Sequence, residues 1–466
     1  MGWCLCLTEL RNRRRGKHRE GKSPSAMFTI GFQRPGPHAL AAPALLSLLL
    51  GSSLPVHALP RFARQTGEEC AVCHIGGFGP QLTPHGMRFK LGGYIENNGD
   101  DVTLLPSAML VGSYSRTKSA TDSGSDHKKA LQEASLFLAG RLSDHIGGFV
   151  QATTASGVHG RVSMDNVDVR VVYPTESGDT DVVMGLSLNN NPTMQDPLNT
   201  LPAWRFPYMA SEMVEAPSVL LDEGLGQQVL GLTGYALWDG TYYAELGGYR
   251  DLPRKLLDNV NVDAELKVQG TAPYWRLAYL KDLHSQAWSV GAVALDARVR
   301  PGYEGHASDK YRDVGVDASY QYLGDRTNIF TLNTSYVHER QTRDASVATG
   351  DAANREGRLN RFDVNGSWYY KETYGLTTSY FDVNGSADPT LYDSRSGSPN
   401  TSGYIVQGDW TPWGKEDSWG APWANVRLAL QYTRYTEFLG DGTNYDGNGR
   451  DASDNDTLYA FVWMVF

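Results

Sequence analysis

From about Val102 to its last residue the chain is written in short runs that alternate apolar and polar side chains, and this period of two restricts what it can fold into. Val314, Val316, Ala318, Tyr320 and Tyr322 alternate with Asp313, Gly315, Asp317, Ser319 and Gln321. Successive side chains of a strand point to opposite faces, so such a run puts its apolar groups on one face and its polar or small groups on the other. A turn follows at Gly324-Asp325-Arg326, after which Phe330, Leu332, Thr334 and Tyr336 alternate with Thr331, Asn333 and Ser335, completing an antiparallel hairpin. The pattern recurs at Ala134-Leu136-Leu138-Gly140-Leu142, at Val426-Leu428-Leu430-Tyr432, and around the hairpin of Trp368 to Tyr370 and Tyr374 to Tyr380.

Soluble β-sandwiches alternate too. What separates a membrane barrel from them is Tyr and Trp at strand ends, here Tyr274-Trp275, Trp288, Tyr369-Tyr370 and Trp410, since a barrel needs aromatic girdles at both water interfaces. Leu458, Ala460, Val462, Met464 and Phe466 are apolar at every second position, an ending that resembles the assembly signal of bacterial outer-membrane barrels. The expected fold is therefore all-β, a transmembrane antiparallel β-barrel. Residues 103–466 supply 364 positions, and at roughly 20–25 residues per strand and loop they give about 16 strands. A lumen of that width has to be filled. The mean hydropathy of -0.40 excludes a helical membrane bundle and suits a barrel whose inner face is polar.

Ahead of the barrel the chain divides twice. Ala39 to Val56 is an apolar run preceded by Arg34 and closed by Val56-His57-Ala58, which reads as a secretory signal. The basic stretch before it makes Met27 the preferred start, so residues 1–58 are extension plus signal. Those residues hold 8 of the 42 Lys+Arg and 2 of the 52 Asp+Glu, leaving 34 against 50, or -16, on residues 59–466. Such a surface repels nucleic acid and favours cations. Residues 59–101 form a compact unit, and residues 102–466 the barrel. The long connection Asn189 to Leu221 exceeds what a turn needs, so it either folds into the lumen or stays outside. Another, Leu439 to Asp456, carries five aspartates and is either a cation-attracting or a solvated outer loop.

Cys70-Ala71-Val72-Cys73-His74 is the chemistry-bearing motif. Cys-x-x-Cys-His is the attachment signature of c-type haem, in which two thiols bond the haem vinyls and the adjoining histidine ligates the iron. A thioredoxin-like pair would sit in a βαβ pattern, which is missing here, and has no use for His74. Zinc would need two further ligands, with only His85 nearby. One motif means one covalently attached haem, with His74 proximal. Met87 and His85 are the nearby candidates for the distal position, and Met194, Met209 and Met213 of the long connection are others. No hydrolase or phosphate-binding motif accompanies them.

The stretch Phe62 to His74, followed by Pro80-Gln81-Leu82-Thr83-Pro84 and Phe89-Lys90-Leu91-Gly92-Gly93-Tyr94, resembles the fused monohaem cytochrome-porins of the bacterial outer membrane, the iron-oxidising outer-membrane cytochrome c family. Where that family usually has Phe-Gly-Arg, this chain has His85-Gly86-Met87. The resemblance implies an integral protein of the Gram-negative outer membrane in which a small c-type cytochrome segment plugs the barrel lumen. It implies electron transfer from extracellular Fe(II), or another small reductant, through one haem to a periplasmic soluble cytochrome or cupredoxin. The competing expectation is a porin for solutes whose haem is structural or a redox-responsive gate, or a conduit serving a different extracellular partner.

Overall fold

The computed structural model describes residues 61–466 apart from 100–104, 122–123, 157–160, 178–179, 223, 303–306, 416–417, 419 and 421–422. The signal segment, Met27 and the Val56-His57-Ala58 site lie outside the described residues.

Alternation becomes architecture strand by strand. In β11 (Asp309–Tyr322), Val314 and Val316 are 52% and 55% exposed while Asp317 and Gln321 are 7% and 0% exposed. Its partner β12 (Asn328–Arg343) pairs antiparallel from Tyr322↔Phe330 to Asp309↔Arg343, so the expected hairpin forms with its turn at 323–327. The other strands are β1 (Leu105–Thr117), β2 (His127–Ser143), β3 (Ile146–Thr154), β4 (Ser163–Ser177), β5 (Thr180–Asn189), β6 (Val229–Trp238), β7 (Tyr242–Asp251), β8 (Leu266–Val268), β9 (Ala272–Asp282), β10 (Gln286–Pro301), β13 (Glu356–Tyr370), β14 (Tyr374–Gly385), β15 (Thr401–Trp410), β16 (Asn425–Glu437) and β17 (Thr457–Val465). β8 and β9 both lie along β10, with Val299↔Val268 and Leu295↔Tyr274, and are one spanning strand broken near Gly270, whose φ is +76°. The barrel thus has sixteen spanning strands.

Closure falls to the C-terminal strand. β17 pairs with β16 on one side and with β1 on the other, from Met109↔Val465 to Thr117↔Thr457. The terminal Phe466 exchanges both backbone hydrogen bonds with Ala108 (2.9 and 3.1 Å). Val462 and Leu458 face outward, while Tyr459, Phe461 and Trp463 are buried inside. Closing the ring joins the first strand to the last, so among the described residues the sheet has no open end, as a hydrocarbon environment demands.

Outside, the surface is apolar on strand after strand. Leu136, Leu186, Leu232, Leu246, Leu277 and Leu332 are all more than half exposed. Trp238, Tyr242, Trp288, Tyr322, Tyr370 and Trp410 ring the end where short turns join the strands, and Tyr336, Tyr404 and Tyr432 cross the same wall further out. A closed apolar band between aromatic rows is the surface of a bilayer-spanning barrel of the outer-membrane kind. Two members of the sequence-level girdle are not on it. Tyr274 and Tyr369 are 0% and 2% exposed and face the lumen, because each sits one residue before an outward neighbour, Trp275 and Tyr370.

The lumen is filled. The connection between β5 and β6 runs over 190–228, past the sequence boundary at Leu221, and crosses the interior. Leu221 N donates to Asp313 Oδ2 (2.7 Å), Leu220 N to Glu339 Oε2 (2.6 Å), Gln431 Nε2 to Met209 O (3.2 Å) and Gln132 Nε2 to Ala210 O (2.9 Å). Arg276 bridges Asp196 of this strap (2.6 Å) to Asp317 of β11 (2.8 Å). Buried charges persist only when paired, so these ties fix the strap across the barrel.

Candidate functional site

Residues 61–99 fold as three short helices, α1 (Arg61–Thr66), α2 (Cys70–Cys73) and α3 (Pro84–Leu91), against the inward face of the barrel at its short-turn end. α3 starts where Thr83 Oγ1 accepts from Gly86 N (3.2 Å), with Pro84 in the first turn, where its missing N–H costs nothing. Contacts run around the wall. Ala71 N donates to Gly414 O (3.1 Å), Arg326 Nη1 to Ala71 O (2.6 Å), Asn425 Nδ2 to Gly77 O (2.9 Å), Gln321 Nε2 to Leu82 O (2.9 Å), Tyr235 OH to Leu91 O (2.6 Å) and Tyr94 OH to Asp168 Oδ2 (2.8 Å).

Around the motif the backbone closes a tight loop. His74 N donates to Cys70 O (2.9 Å), Ile75 N to Gln81 O (3.0 Å) and Thr83 N to Cys73 O (2.9 Å). This brings α3 so close to α2 that a Cβ at Gly86 would lie 2.3 Å from Cys73 O. Gly86→Ala is expected to destabilise the packed segment by about 1–3 kcal/mol, the usual cost of overpacking. Limited proteolysis of the folded barrel checks it, with faster cleavage between 61 and 99 in the variant.

Cys70, Cys73 and His74 open onto a cavity of about 320 Å³. Phe62, Phe89 and Tyr94 form one wall, with Phe62 and Phe89 rings 5.0 Å apart, and Phe78 and Trp463 (4.7 Å apart) form another. Met194 and Met209 of the strap complete it. A mostly apolar space of this size with a few polar groups has the character of a cofactor site. Burial, reinforced by Glu68, pushes the Cys73 thiol up to about 12, and burial raises Cys70 as well. Burial pushes His74 down to about 4, against the backbone groups of Gly79 and Gln81 beside its ring, leaving a neutral imidazole. Paired thiols, a neutral imidazole and an apolar hollow beside them fit a c-type haem.

The distal candidates separate. Met87 is buried against Val172, Leu198 and Tyr235 and does not line the cavity. The helix explains this: Gly86, Phe89 and Lys90 share the cavity face of α3, whereas Met87 and Leu91 share the barrel face. His85 Nε2 pairs with Glu68 Oε2 (2.6 Å), and with Cys73 these ligand atoms lie within 4.8 Å of one another, beside the cavity. Met213 packs next to Phe206 and Val214. Met109 of β1 and Met194 and Met209 of the strap are the methionines at the cavity among the described residues, and proximity in sequence gave no sign of it. Lys90 holds Met194 in place, donating to Met194 O (2.6 Å), Asp196 O (2.8 Å) and Asn199 Oδ1 (2.5 Å).

The acidic loop spends its charge internally. Asp441 pairs with Arg395 (2.9 Å), and Asp446, Asp451, Asp454 and Asp456 accept from the backbone of Asn448, Asn444, Asp451 and Tyr435 (2.8 to 3.0 Å).

No family model matches the chain, and no curated protein matches it. Solved structures that are similar include the outer membrane channel DcaP of Acinetobacter baumannii (11% identity, TM-score 0.46, covering 80% of this chain and 100% of that one). An anion-selective porin from Comamonas acidovorans has 11% identity and a TM-score of 0.45, over 78% of this chain and 98% of that one. OmpF of Salmonella typhi, in complex with daunomycin, has 12% identity and a TM-score of 0.43, over 78% and 97%.

Proposed function

We propose that this porin-like barrel is an electron conduit of the outer membrane, holding one c-type haem on Cys70, Cys73 and His74 and passing electrons from extracellular Fe(II) to a soluble periplasmic cytochrome or cupredoxin. One observation carries the reading: a Cys-x-x-Cys-His motif faces an apolar cavity inside a bilayer-spanning barrel. The haem, when bound, supplies a one-electron couple that a chain of ordinary side chains lacks. The remaining work belongs to the protein. Cys70 and Cys73 would tether it, His74 would ligate its iron, and the methionines that line the cavity, Met109, Met194 and Met209, would be the candidates for a further ligand in place of Met87 and His85. The aromatic walls keep water out, which sharpens every electrostatic interaction inside. The cysteines lie at the short-turn end, which is the periplasmic end in barrels of this kind, and this supports a carrier on that side. The net charge of -16 on residues 59–466 favours approach of a cation.

A second reading is solute passage, with the haem as a structural element or a redox-responsive gate. The sixteen-strand barrel favours it, since barrels of that size enclose aqueous channels.

The discriminating experiment uses protein purified from the outer membrane of a host that attaches c-type haem. Anaerobic Fe(II) is mixed with the oxidised protein and the visible haem bands are followed by stopped flow. Rapid appearance of reduced bands, slowed by salt, is the expected result. A haem that dithionite reduces and Fe(II) does not would end the iron reading and favour the gated porin or another donor.

A further inference from the structure

We infer that the outer wall of β11 to β13 binds the phosphate of a phosphorylated lipid of the outer leaflet, through Arg312, Arg340 and Arg358. The inference is independent of what the lumen holds.

The three arginines stand in one row. Arg312 pairs in register with Arg340, and Arg340 with Arg358. Each is exposed, and each is followed or preceded by a buried lumen residue, Asp313, Glu339 and Leu359. Their side chains therefore share the lipid-facing side of the wall. Directly opposed side chains have Cβ atoms about 4.5–5.5 Å apart, and like charges at that spacing destabilise a sheet. An anion seated between them removes the repulsion.

Height on the wall says which anion. Arg312 is ten residues from Tyr322 of the short-turn aromatic row, about 34 Å along an antiparallel strand. A strand tilt of about 40° reduces that to about 26 Å, the height of the apolar band. From the row toward the short turns, His338 and Asn360 come next (His338 Nδ1 to Asn360 Oδ1, 2.6 Å), and then Tyr336 and Phe362, where the apolar surface begins. The row thus lies at headgroup level, on the side of the long connections, which is extracellular in barrels of this kind.

The acids around the row do not neutralise it. Asp296 of β10 takes Arg312 (2.8 Å) and Lys310 (3.4 Å) together. Glu356 pairs with Arg355 (3.1 Å), and Asp382 of β14 lies two pairs nearer the apolar band, opposite Phe362. Among the described residues no carboxylate pairs with Arg340 or Arg358, and Arg340 Nε meets His338 Nε2 at 3.5 Å. Arg298 and Lys310, in register one pair further out, add to the excess. This concentration of positive charge stands on a chain whose residues 59–466 carry a net -16. A phosphate monoester brings nearly two negative charges and three acceptor oxygens, which a guanidinium meets with two parallel donors. A second copy of the same face would bring only more arginine.

The test uses full-length protein stripped of lipid in a zwitterionic detergent, titrated with diphosphoryl lipid A and followed by native mass spectrometry. Arg340→Gln combined with Arg358→Gln is expected to weaken binding about thirtyfold, the effect of two charges at an anionic surface. Arg434→Gln, which removes an exposed arginine of β16 opposite Tyr404, should leave it at the parent value. Thermal unfolding supplies a second readout. Lipid A should raise the parent's midpoint and not the double variant's, whereas without lipid the double variant should melt at or above the parent because the like-charge contact is gone. If the double variant does not fold, each single variant must show part of the loss. Unchanged affinity in folded variants, or an equal loss in Arg434→Gln, would overturn the inference. So would dephosphorylated lipid A binding as tightly, inorganic phosphate protecting as well as the lipid, or the parent dimerising through this face.

Discussion

Cys70→Ser combined with Cys73→Ser is expected to leave the barrel in the outer membrane with no covalently attached haem, so that denaturing gels lose all haem-dependent peroxidase staining while the barrel band remains. Both halves follow from where the cysteines lie. Neither contributes to a strand pair, and Asn425, the strand residue that the Cys70 thiol meets at the end of β16, keeps its bond to Gly77 O and its place opposite Val465. The loss is all or nothing because a thioether cannot form without its sulfur. His74→Ala is the companion: the thiols survive, and the iron loses its proximal nitrogen. If the double variant still stains, or if the parent chain never does, the motif has some other use, and the Glu68, Cys73 and His85 trio becomes the group to examine with metals.

Intact protein in planar bilayers is expected to conduct at least an order of magnitude less than an open sixteen-strand porin, and a variant with residues 191–221 replaced by a short turn is expected to recover much of that conductance. An empty barrel of this size would hold a water-filled channel. Here the strap crosses it, tied at Asp313, Glu339 and Arg276, and residues 61–99 occupy the short-turn end. Thermal opening of the strap is opposed by its ion pairs. Removing Arg276 alone would leave Asp196 and Asp317 buried without their partner, a loss of about 3–5 kcal/mol. Arg276→Ala should therefore show flickering openings. Large, steady conductance from the intact protein would move the solute reading ahead of the electron one.

Much of this was legible in the residues. The alternation at Asp313 to Tyr322 told which side chains face out, because a strand's period of two leaves no freedom once one face must be apolar. Length divided by a spanning strand came to the right number, since bilayer thickness fixes strand length. Cys70, Cys73 and His74 were legible as a motif because their chemistry is local, five consecutive residues on one turn and its exit.

What was not legible depends on rotation and on distance. Met87 is closer in sequence to His74 than any other methionine, yet a helix turns about 100° per residue, and that rotation points Met87 at Val172 and Tyr235 while Phe89 and Lys90 face the cavity. Met194 and Met209 lie more than a hundred residues from the motif and arrive through a strap whose path is set by Lys90, Asp313, Glu339 and Gln431, partners scattered over the chain. The five aspartates of the outer loop looked available to a cation, and their commitment to backbone donors appears only once the loop is folded.

By itself, then, the sequence determined the barrel and marked the motif from Cys70 to His74, because strand period, spanning length and a five-residue motif are local properties of a chain. The tertiary structure alone decided which side chains meet at the cavity, that Arg205 and Arg361 share Asp222 and Asp363, and that the strap crosses the lumen. Those contacts join residues distant in sequence, and they exist only after the sheet has closed on itself between β17 and β1.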